Sequence, residues 1–150
     1  MLGARGANHR DYRERIFIKV EDPGHPLAQV FGGAGFEYCS EFFRFHDPYS
    51  REQVRVLLSI DTAKTDLSGR KPERNDNDYA LAWVRSYGQG RVFYSAIGHN
   101  AEVFSDPQML QFYLGAIQFV LGDLPAPPTP SATLTPAVPA QDKVPQLPAP

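Results

Sequence analysis

The sequence has one cysteine, Cys39, so no internal disulfide can form, and no CxxC or Cys/His spacing suits a structural zinc or a dithiol redox site. It also lacks an apolar run near the roughly 20 residues that a membrane-spanning helix needs. Residues 1–15 are polar and arginine-rich, without the apolar stretch of a signal peptide, so a cytoplasmic location and no membrane partner are expected. Charge of one sign is missing too: 15 Lys and Arg stand against 17 Asp and Glu, which excludes nucleic-acid binding through bulk positive charge. Beyond residue 124 there is no glycine and no aromatic residue, and only Asp142 and Lys143 are charged. So little apolar surface does not offset an ordering entropy of about 1–2 kcal/mol per residue. Residues 124–150 are therefore expected to be a disordered, partly polyproline-II tail, a linker in preference to an SH3-type ligand. What is present, 42% hydrophobic and 12% aromatic residues, suffices for one core in a domain spanning residues 1–123.

Within that domain, residues 15–20 alternate apolar and polar side chains, with Ile16, Ile18 and Val20 on one face of a strand that stops at the turn Glu21-Asp-Pro-Gly24. Residues 54–60 are apolar on both faces, as in a central strand. Residues 61–78 carry nine charged side chains and no aromatic, the pattern of a long exposed loop. Strands at 80–87 and 91–97 flank Gly88-Gln89-Gly90 and read as a hairpin. A helix is expected over 107–121. Ser105 with Gln108 fits a capping box, Pro107 the first turn and Gly122 the C′ position, and Leu110, Tyr113, Leu114, Ile117, Val120 and Leu121 form one apolar stripe. One strong helix is too little to cover both faces of this sheet. The expected architecture is an incomplete α/β layer with that helix packed on the sheet and with apolar surface left for possible self-association.

The succession Val20-Glu-Asp-Pro-Gly-His-Pro-Leu27, Ser40-Glu-Phe-Phe-Arg-Phe45, Asp47-Pro-Tyr-Ser-Arg-Glu52, Ala82-Trp-Val-Arg85, Tyr87-Gly-Gln-Gly-Arg-Val-Phe-Tyr94 and Gly98-His-Asn100 resembles the ThuA-like (trehalose-utilisation) family over residues 3–123. The resemblance implies a flavodoxin-like α/β fold related to class I glutamine amidotransferases and a role in sugar metabolism. It also implies several β/α units upstream of Met1, in keeping with the shortage of covering helices.

Amidotransferases place a cysteine nucleophile on a strand-to-helix elbow. Cys39 lacks the flanking glycines, so that chemistry is disfavoured. His99 stands where a strand runs into a loop, the position at which ligands gather in open α/β sheets. Glu41, followed by Phe42, Phe43 and Phe45, is a carboxylate in apolar company that must pair or do chemistry. The family typically has Asp-Glu here, and Ser40 departs from it. Glu41 and His99 are the candidate catalytic pair. Asn100, Arg51 and His9 are candidate ligand-binding residues; His9 corresponds in position to a His-Pro-Trp element of the family, although Arg10 follows it. Arg51 has an internal ion pair, with Glu52 or Glu41, as its competing role. His25 and His46 are read as loop-structural. The expected partner is a small sugar or sugar derivative, with Trp83 or a tyrosine to stack on it; a non-catalytic interaction module is the alternative. No cofactor is indicated. Two candidate ligands, Glu41 and His99, are too few for a firm metal site, and a third would have to come from His9, Ser40 or an upstream segment.

Overall fold

The computed structural model of the chain describes residues 1–9, 11–68, 74 and 76–133. Its elements are the strands β1 (Arg5–Gly6), β2 (Glu14–Val20), β3 (Phe36–Ser40), β4 (Phe45–His46), β5 (Arg55–Ile60), β6 (Ala80–Tyr87) and β7 (Gly90–Ser95) and the helix α1 (Pro107–Leu121), with short 3₁₀ turns at Gln29–Phe31, Ala101–Ser105 and Ser131–Thr133. Burial follows the sequence pattern. In β2, Glu14, Ile16, Ile18 and Val20 are buried while Arg15 and Lys19 face solvent, and all six residues of β5 are buried. β5 accordingly lies at the centre of a five-stranded sheet of order β3-β2-β5-β6-β7, and a two-stranded ribbon joins β1 to β4. Every pairing among the described residues is antiparallel. The α/β character expected from sequence is present, but no parallel β/α repeat of a flavodoxin-like sheet occurs among these residues. The hairpin is as expected: Tyr87 pairs with Gly90, and Gly88 takes a positive φ of 59° in the turn.

Successive residues of β7 point to opposite faces and so recruit different covers. On one face, Phe93 meets Phe112 of α1 edge-on at 5.3 Å, and Phe112 meets Phe31 at 5.1 Å. On the other, Tyr94 stacks on Trp83 at 4.4 Å, with Phe45 edge-on to both. The ribbon and the N-terminal segment, whose Leu2 carbonyl accepts a hydrogen bond from Trp83 Nε1, therefore cover the face for which no helix is evident in the sequence.

The helix has its expected limits, but its orientation and cap differ. Met109, Phe112, Ala116 and Phe119 are buried, whereas Leu110, Leu114, Ile117 and Leu121 of the expected stripe are exposed. Residues 107–121 contain no charged side chain, so apolar periodicity marks two faces, and the sheet takes the one bearing the two large phenylalanines. Asp106, not Ser105, caps the helix, with its carboxylate accepting from the Gln108 and Met109 amides; Gly122 closes it at φ 95°.

The boundary expected at residue 124 also moves. Residues 124–133 dock on the domain: the Ser131 amide donates to the Val54 carbonyl, the Val56 amide to Ser131 Oγ, and the Ala132 amide to the Arg51 carbonyl. These bonds to the backbone ahead of and inside β5 provide the ordering free energy that composition alone does not suggest. The rest of the expected tail, 134–150, lies outside the described residues, as do residues 69–73 of the charged loop. No helix among the described residues is long and apolar enough to cross a membrane.

Candidate functional site

Glu41 follows the last residue of β3, and its side chain is only 6% exposed. Burying a carboxylate in apolar surroundings requires strong partners. Two imidazoles supply them: His9 Nδ1 lies 3.2 Å from one carboxylate oxygen, and His99 Nδ1 lies 2.6 Å from the other. Both rings are about half exposed. The structure thus brings Glu41, His99 and His9 together at one point of the surface, around a single carboxylate that bridges the two rings.

Each member is delivered by a different device. His9 follows β1, whose ribbon is extended by hydrogen bonds from the Ala7 amide to the Arg44 carbonyl and from the Arg44 amide to the Asn8 carbonyl. Glu41 is carried by β3, which pairs with β2 so that Ser40 faces Glu14. Arg44 ties these segments together, its guanidinium donating to Glu14 Oε1 at 2.7 Å and to the Phe42 carbonyl at 2.7 Å. His99 leaves the end of β7 through Gly98 and enters the 3₁₀ turn at Ala101–Ser105. Asn100 is the adjoining half-buried residue; its carbonyl accepts from Val103, and its side chain is not used as the cap of that turn.

An ionised carboxylate only accepts hydrogen bonds, so Nδ1 of each ring donates to Glu41. In the neutral imidazole this tautomer leaves the lone pair on Nε2, on the opposite side of the ring from the carboxylate. Glu41 therefore fixes the tautomer and the orientation of two imidazoles, as a buried carboxylate does beneath a catalytic histidine. Two exposed aromatic rings flank the group. Tyr12, 62% exposed, lies 6.4 Å from the His99 ring, and Phe43, 40% exposed, lies 5.5 Å from the His9 ring. Sequence reading names Phe43 only as apolar company for Glu41 and expects a stacking tyrosine without placing it at Tyr12. The signal for Phe43 is the run 41–45, in which all but Phe43 are buried; Tyr12 has no local signal.

The family model described as ThuA, trehalose utilisation, matches residues 1–120. The chain belongs to the ThuA family. A solved ThuA-like protein from Bacteroides uniformis is similar at a TM-score of 0.61 with 23% identity, over 79% of this chain and 48% of that one. The chain thus spans about half the length of that ThuA-like relative. No curated protein matches. Membership connects the chain with trehalose utilisation in general terms.

Arg51 does not join the Glu41 group. Its guanidinium forms two hydrogen bonds to Asp78, at 2.9 and 2.8 Å, and one to Glu21 at 3.0 Å. Burial would lower its pKa, but the hydrogen bonds to Asp78 and Glu21 win and raise it. The same contacts, with Ser59, outweigh burial at Glu21 and hold its carboxyl below the usual range. Arg51 is thus an internal clamp, through acids other than Glu52 and Glu41. Trp83 is fully buried with its indole N–H committed to Leu2, so it is not the expected stacking surface. Cys39 sits within β3, its thiol facing the Arg13 carbonyl, with no strand-to-helix elbow. Among the described residues, no group of three or more His, Cys, Asp and Glu side chains is arranged to hold a metal ion.

Proposed function

We propose that the chain forms a carbohydrate-binding or carbohydrate-processing surface in which Glu41, His9 and His99 bind and exchange protons with a small sugar and Asn100 contributes an amide hydrogen bond. The single observation that carries the reading is the bridging carboxylate: one buried Glu41 holding two half-exposed imidazoles with their Nε2 atoms directed away from it. Tyr12 and Phe43 support it, since exposed aromatic faces beside polar groups suit the apolar face of a pyranose. The flavodoxin-like, amidotransferase-related frame belongs to the same proposal: the antiparallel sheet would form one flank of a larger sheet, in keeping with the length of the solved relative. Neither nucleic acid nor membrane enters this reading as a partner.

The test is titration with trehalose, glucose and related sugars followed by amide chemical shifts. Glu41→Gln and His99→Ala should each weaken binding about tenfold or more without altering the circular dichroism spectrum. Unchanged affinity in both variants refutes the site.

A second reading, a non-catalytic interaction module, is favoured by the exposed stripe Leu110, Leu114, Ile117 and Leu121. A second copy of the chain is its fitting partner, because a charge-free helix face with this spacing complements itself. Light scattering should then show a dimer that Leu114→Glu converts to a monomer.

A further inference from the structure

A cavity of about 220 Å³ opens beside the Glu41 group, lined by Ala4, Gly6, Phe43, Phe45, Trp83 and Tyr94, with Leu2 at its rim. Phe43 is common to both places, lining the cavity and standing 5.5 Å from the His9 ring. The exposed Phe43 ring and the partly buried Tyr94 ring are its accessible aromatic walls, with Phe45 and the fully buried Trp83 packed behind them.

The lining side chains include only two polar groups, and one of them, the Trp83 indole N–H, is already spent on the Leu2 carbonyl. Only the Tyr94 hydroxyl remains. A second pyranose placed here would bury several hydroxyls with too few partners, at a cost of roughly 1–3 kcal/mol for each one left unsatisfied. A planar apolar ring incurs no such cost, and a smaller apolar cavity of about 150 Å³ already accommodates benzene. We infer that this cavity is an aglycone subsite that takes an aromatic or similarly apolar six-membered ring attached to the group held by Glu41, His9 and His99. Only the identity of that attached group rests on the carbohydrate reading; the ring site rests on the cavity itself.

Gly6 offers a clean way to close it. Gly6 lines the cavity at an exposed position where an added Cβ meets no atom within 4 Å, so Gly6→Leu adds apolar volume at the cavity wall without a clash at Cβ. Phe43→Ala, at an exposed position, removes a wall instead. The experiment measures binding of methyl α-D-glucopyranoside, 4-nitrophenyl α-D-glucopyranoside and benzyl alcohol to the full chain and both variants, by amide chemical shifts. The nitrophenyl glycoside should bind about tenfold or more tightly than the methyl glycoside. Benzyl alcohol should shift Gly6 and Phe43. Gly6→Leu should abolish both the aryl advantage and benzyl alcohol binding while leaving the methyl glycoside unaffected, and Phe43→Ala should reduce the aryl advantage. Equal affinity for the two glycosides, no response to benzyl alcohol, or aryl binding that survives in folded Gly6→Leu overturns the subsite. Benzyl alcohol binding that Gly6→Leu abolishes, with no binding of the methyl glycoside, supports the cavity and rejects the carbohydrate reading.

Discussion

Arg44 and Glu14 are 4% and 7% exposed at their side chains and 2.7 Å apart, and this pair holds the segments that bear His9 and Glu41 against β2. Substituting Arg44 by Met keeps the packing volume but removes the guanidinium from the Glu14 carboxylate and from the Phe42 carbonyl. Breaking a buried ion pair by removing one partner costs about 3–5 kcal/mol, a large share of the roughly 5–15 kcal/mol that holds a typical domain. With a urea m-value of about 1.5–2 kcal/mol/M, the unfolding midpoint of Arg44→Met should fall by roughly 1.5–3 M. The double variant Glu14→Leu with Arg44→Met replaces the ion pair by apolar volume, and its loss should be smaller than the sum of the single losses by at least about 2 kcal/mol. Urea unfolding of the four proteins measures both quantities. Additive losses, or an Arg44→Met midpoint within about 0.5 M of the parent, would refute the idea that this ion pair anchors the site.

Phe112→Ala should cost about 3–5 kcal/mol because the ring is fully buried between Phe31 and Phe93. Leu114→Ala, at a half-exposed position, should stay within about 0.5 kcal/mol of the parent in thermal or urea unfolding, and the reverse order would mean that the other helix face is packed on the sheet. Stability should also fall on acidification below about pH 6.5. Burial pushes the His25 pKa down, with Arg55 adding to the shift and the Pro127 carbonyl and Asp22 opposing it; its Nδ1 accepts from the Leu27 amide and its Nε2 faces the Pro127 carbonyl, contacts that the neutral ring satisfies. The unfolded chain therefore binds more protons between the lowered folded pKa and the ordinary value, so stability is full above that window and is lost as pH falls through it. His25→Gln should flatten this part of the stability profile, and an unchanged profile would exclude His25 as its source. Arg51→Met should lower stability without changing sugar affinity in the titration above, since its partners are Glu21 and Asp78; a selective loss of affinity would return Arg51 to the ligand site.

Features that the chain encodes locally were legible before any tertiary contact was known. Alternation in β2, two-sided apolarity in β5, the Gly88 turn and the Pro107 and Gly122 limits of α1 all follow from the backbone preferences of adjacent residues. Glu41 and His99 were legible as candidates because a carboxylate among phenylalanines and a histidine at a strand end are unusual in themselves. Tertiary structure decided the rest. It selected which apolar face of a charge-free helix meets the sheet, because the hollow between Phe31 and Phe93 accepts Phe112 and not Leu114. It drew 124–133 into order through backbone bonds to residues far upstream, and it committed Arg51 to Asp78 and Glu21. It also joined His9, Glu41 and His99, which lie in three separate stretches of sequence, around one carboxylate. Sequence spacing records what one residue does to its neighbours, whereas a buried charge finds its partners only when folding has removed the water that would otherwise solvate it.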